Sequence, residues 1–170
     1  MPTPKLPPDP VLLKLVRSGL SNSEIARLYG VTPQAVSKKV LALGIRRLPV
    51  SDEVNAGLRQ RWGDIYSNPS SDSHHLTHPA KALKIWLRYR LGDSKLSQDQ
   101  VSLAKAWIRG LSERDEVLCY DRDHPGGWYY RPRTPADNRL IVDWPESIPF
   151  PDERWRKALE LPALTDLDPC

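Results

Sequence analysis

The chain has 170 residues, 39% of them hydrophobic and 27% charged, with a formal net charge of +4. That composition suits one globular domain or two small ones and excludes a disordered polymer, and no apolar run is long enough to span a bilayer. There is no basic start leading into an apolar stretch and a cleavage site, and Cys119 and Cys170 are the only thiols, so a reducing cytoplasm is the expected compartment.

The first ten residues, MPTPKLPPDP, hold five prolines and read as an extended leader. Residues 9–18 place Leu12, Leu13 and Val16 at helical spacing after an Asp-Pro start, and Gly19 ends that helix. In the next helix Ser21 caps and Glu24, three residues on, completes a capping box. Ile25, Ala26 and Leu28 are its expected inner face, and Gly30 closes it. A third helix begins with Thr32 as N-cap and Pro33 at the first helical position, where a missing N–H costs nothing. Val36, Val40 and Leu43 face inward, and Gly44 stops the chain.

Residues 51–66 form a fourth expected helix, capped by Ser51, with Val54, Leu58, Trp62 and Ile65 in one stripe. Residues 67–79 are polar and turn-rich. Helices follow over 79–91 and over 98–110, the latter capped by Ser97 with Val101, Ala104, Ile108 and Leu111 inward. EVLCYDRDHPGGWYYRPR reads as strand, Pro-Gly-Gly turn and strand, and RLIVDW as a third strand. PDERWRKALEL is a short terminal helix. The expectation is a mainly α protein with a small antiparallel sheet. Its parts are a leader and helix-turn-helix over 1–50, a connector helix and polar loop over 51–78, and a second domain over 79–170.

The most specific pattern is the register Ala26, Gly30, Val31, Val36. A helix-turn-helix packs two helices steeply over a tight turn. Close approach needs a small residue in the first helix (Ala26), and the turn needs one that takes positive φ (Gly30). An apolar plug follows it (Val31), and a β-branched residue seals the crossing (Val36). An arbitrary helical hairpin explains the apolar residues but not this whole register.

Such a unit inserts the N-terminal end of its second helix into the major groove. Thr32, Pro33, Gln34, Ala35, Ser37 and Lys38 then lie nearest base edges. Gln34 can pair with adenine in two hydrogen bonds, and Ala35 can touch a thymine methyl. Lys39 is expected at the DNA backbone, and Arg46 and Arg47 on an arm along phosphates or in the minor groove. Charge agrees: residues 1–50 carry eight Lys/Arg against two Asp/Glu, whereas residues 112–170 carry eight against thirteen.

No heptad seam marks a dimer interface. A second basic element appears instead: Lys81, Lys84 and Arg88 share a helical face, Lys105 and Arg109 repeat the pattern, and Arg131 and Arg133 lie on the hairpin. These could extend the contact with one duplex, or simply solvate a helical domain. The six tryptophans are expected as core.

Three segments together, SNSEIARLYGVTPQAVSKKVLALGIRR, HPAKALKIWLRYRLG and RDHPGGWYYRPR, give the chain an organisation that resembles the immunity repressors of temperate mycobacteriophages. The resemblance implies a transcriptional repressor that maintains lysogeny and superinfection immunity. It further implies binding as a monomer to short asymmetric sites in the host cytoplasm. No cofactor, metal, small-molecule ligand or membrane partner is expected.

Two enzymatic alternatives use the same segments. CYDRDHPGGWYY is similar to the start of a His-Asn-His nuclease motif, with Asn138 in the middle position, but His124 is the last histidine and the final metal ligand is missing. A recombinase or transposase would draw on Asp121, Asp123 and Asp143. His74, His75 and His78 form a polar loop cluster rather than a metal site.

Overall fold

Two units divide the chain, Met1–Leu48 and Pro49–Cys170; the structure, a computed structural model, describes residues 5–45, 49–66 and 73–167. In the first unit, α1 (Asp9–Arg17), α2 (Asn22–Tyr29) and α3 (Pro33–Ala42) follow one another over short turns. Ser21 and Glu24 form the capping box at α2, and Gly30 adopts the left-handed conformation (φ 62°, ψ 32°) that ends it. Thr32 caps α3 by accepting the Ala35 N–H at 3.2 Å.

Leu12, Ile25, Ala26, Val36 and Val40 close the core of this unit, with Leu15, Val16, Val31 and Leu43 packed around them. Leu28 is 64% exposed rather than inward. On α2, Ile25 and Ala26 are buried and Tyr29 packs against the same core.

The second unit is built from α4 (Val50–Arg61), α5 (His78–Arg90), α6 (Gln98–Arg114), the hairpin β1 (Glu116–Tyr120) with β2 (Trp128–Pro132), and α7 (Glu153–Leu159). α4 has no side-chain cap: it starts one residue before Ser51, after Pro49. Its stripe Val54, Leu58, Trp62 and Ile65 is buried in the same core as α5, α6 and α7. This helix is therefore part of the second unit rather than a connector. Gly57 is required where α4 meets α7, because a Cβ there would overlap the Trp155 indole.

All six tryptophans are buried. Four of their indole N–H groups donate within the unit: Trp86 to the Ala158 carbonyl, Trp107 to the Tyr130 hydroxyl, Trp128 to the His74 carbonyl and Trp144 to the Ile148 carbonyl. Buried indoles with satisfied donors are structural fillers.

Strands β1 and β2 pair antiparallel with Leu118 opposite Tyr130. RLIVDW does not form a third strand. It makes one parallel bridge, Val142 with Leu118, and one antiparallel bridge, Leu140 with Glu160. Its backbone groups are divided: the Ile141 carbonyl accepts from Leu118, while the Ile141 N–H donates to the Leu159 carbonyl at the end of α7. No helix among the described residues is long and apolar enough to cross a membrane.

Candidate nucleic-acid interface

Helices α2 and α3 meet over the Gly30 turn, where the Val31 N–H donates to the Ala26 carbonyl at 3.0 Å. With Val36 and Val40 buried, the opposite side of α3 is turned outward. Thr32, Pro33, Gln34 and Lys38 are exposed, and Ala35 and Ser37 are half-buried. Of the expected base-reading residues, Gln34, Ser37 and Lys38 share one accessible face of α3, Thr32 is its cap, and Ala35 lies to the side. Lys39 lies to the side of that face and pairs with Asp9 of α1 at 2.9 Å. Arg46 and Arg47 lie outside the described residues.

The basic residues expected in the second unit separate into two groups. Arg88 donates to Asp93 at 2.7 Å. Arg131 forms a fork onto Asp137, with Nη1 and Nη2 at 2.8 and 2.7 Å, and reaches Asp143 at 3.3 Å. Arg133 donates to the Leu140 and Glu116 carbonyls and pairs with Asp115. These three guanidiniums are engaged with acceptors on the loops and hairpin of their own unit.

Asp137 is the buried end of that network. Arg131 holds its carboxyl down to about 2, helped by the Thr134 N–H and hydroxyl and opposed by burial. Lys105 lies over the Tyr89 ring, and with Arg109 it lines a cavity of about 500 Å³ beside α6.

What remains is a cluster that the sequence only half revealed. Lys81 is exposed on the first turn of α5. One turn later Lys84 donates to the His75 carbonyl at 3.1 Å and lies 5.2 Å from the Tyr66 ring centre. Arg59 of α4 sits 4.5 Å from the same ring. Burial pushes the Lys84 ammonium below its ordinary value, and the Lys81 and Arg59 charges push it the same way. Among the described residues no carboxylate forms an ion pair with these three cations. Arg59 had no sequence signal, because only the packing of α4 on α5 brings it to Tyr66 and Lys84.

The residues of the enzymatic alternatives are used locally. Asp121 accepts the Asp123 N–H inside the hairpin turn, and His124 lies against Tyr129 with the rings tilted and meets the Pro125 carbonyl. His74 pairs with the Tyr120 hydroxyl at 2.9 Å, and His75 with Ser73 at 2.6 Å. Among the described residues, no group of three or more His, Cys, Asp or Glu side chains is placed to hold a metal ion.

The fold thus defines a class: a trihelical helix-turn-helix unit joined to a tryptophan-rich α+β unit. Comparison with known proteins finds no matching family model and no significantly similar curated protein.

Proposed function

We propose that the chain is a sequence-specific double-stranded DNA-binding repressor whose α3 reads the major groove. The observation that carries this reading is the outward row Gln34, Ser37 and Lys38 on a helix whose opposite face, Val36 and Val40, is buried in the core of the unit. Neutral polar side chains flanked by cations, at the end of a helix held by a left-handed glycine turn, match what base edges and phosphates require. The second unit extends the footprint through Arg59, Lys81 and Lys84, and one chain occupies a short asymmetric site. Repression works by steric exclusion of RNA polymerase, in a bacterial cytoplasm, with lysogeny as the setting that the resemblance implies.

Footprinting with measured stoichiometry on duplexes selected from a random pool tests this. One chain on a short asymmetric site is the expected outcome. A palindromic site holding two chains overturns the monomer reading, and failure to enrich any sequence overturns DNA reading altogether.

A further inference from the structure

Leu41 is 62% exposed, one of the few large apolar side chains turned to solvent among the described residues. A single exposed leucine is ordinary on a protein surface. Its position is less ordinary. Gln34, Ser37, Lys38 and Leu41 stand at i, i+3, i+4 and i+7, which is one face of α3, and it is the face opposite the buried Val36 and Val40. Both chain neighbours on that row are polar, and the unit's own core takes nothing from Leu41.

We infer that Leu41 is a specificity-determining residue that recognises the C5-methyl group of a thymine. This rests on α3 being the DNA-reading helix and on its last turn, as well as its N-terminal end, lying in the groove. Thymine is the base that presents an apolar group in the major groove, and an aliphatic side chain discriminates it by contact rather than by hydrogen bonding. Seven residues separate Leu41 from Gln34, so they are about 10 Å apart along the helix. The thymine read by Leu41 is therefore a different base from the one read by Gln34.

The test uses the full chain and a duplex that it selects from a random pool. Each thymine is replaced in turn by deoxyuridine, which removes only the methyl group. At one position the native chain should bind about four-fold more weakly, the effect of exposing one methyl-sized apolar group. Leu41→Ala should bind the thymine and uracil duplexes equally at that position, while keeping the native response at every other thymine. Leu41 is exposed and alanine favours helix, so the variant should keep its thermal transition. If no position shows this coupling, the inference is overturned while DNA reading by α3 stands. If the native chain selects no sequence at all, both fall.

Discussion

Arg131 offers a sharp separation between a DNA contact and a structural clamp. Its guanidinium makes two short bonds to Asp137, whose side chain is 4% exposed, and a longer one to Asp143. Replacing Arg131 with Ala leaves Asp137 buried with only Thr134 as donor. Breaking a fully buried pair this way costs about 3–5 kcal/mol. Arg131 is itself 30% exposed, which brings the expected loss to about 2–3 kcal/mol. The acidity of Asp137, set chiefly by the same Arg131 bond, gives a figure of similar size. Asp137 titrates near 2 in the folded chain instead of the ordinary 3.8, a difference worth about 2 kcal/mol. Because the folded value is the depressed one, this stabilisation is complete above pH 4 and is lost as pH falls through about 2. Urea unfolding at pH 7 and pH 3 checks both. Arg131→Ala should lose stability at pH 7, show a smaller pH response between 4 and 2 than the native chain, and retain the DNA affinity of the folded protein. An unchanged unfolding midpoint with weakened DNA binding would refute the clamp and return Arg131 to the interface.

Gly57→Ala should destabilise the second unit by about 2–3 kcal/mol, since the added methyl meets the rigid Trp155 indole. Calorimetry should then show a transition lowered by roughly 6–10 °C; an unchanged transition would mean that α4 and α7 do not pack there. Asp9→Asn releases Lys39 from its 2.9 Å ion pair and should raise affinity for any duplex about two- to three-fold. The same substitution in a Lys39→Ala background should be silent in a gel-shift titration. Replacing Arg59 and Lys81 together with Ala should weaken binding to all sequences alike. It should also reduce the slope of log K against log salt by about 1.8, the value for two phosphate contacts.

The helix-turn-helix was legible because its determinants are local. Ser21 with Glu24, the Gly30 turn and the Thr32 cap are each decided within four residues, and the apolar register from Ala26 to Val36 fits within one motif. Helix α6 overran its expected end, to Arg114, where Asp115 in the left-handed conformation stops it. The second unit's charges were not legible from helical spacing. Arg88 turns back to Asp93 after the helix ends, and Arg133 is consumed by two carbonyls that only the hairpin register brings close. Spacing shows which face a cation occupies but not which acceptor that face meets. Leu28 illustrates the converse: an apolar residue near the inward stripe stays outside when three short helices have no more core to offer.

Under the proposed DNA-binding function, the charge balance limits how the two units could divide the work. Residues 1–48 carry eight basic side chains against two acidic, whereas residues 49–170 carry seventeen against nineteen. At physiological ionic strength, charges separated by more than about 8 Å are largely screened. A net acidic unit therefore gains nothing from long-range attraction to a duplex. If the chain binds DNA as proposed, Arg59, Lys81 and Lys84 would act only once phosphates are within contact range, after the first unit has been drawn in by its own excess of positive charge. Association should then be governed by the first unit and residence time by the second. Stopped-flow binding should show Arg59→Ala/Lys81→Ala leaving the association rate nearly unchanged and raising the dissociation rate. Lys38→Ala should instead slow association, more at low salt than at high salt. If the double variant slowed association as strongly as Lys38→Ala, the second unit would be helping to capture the duplex rather than to hold it.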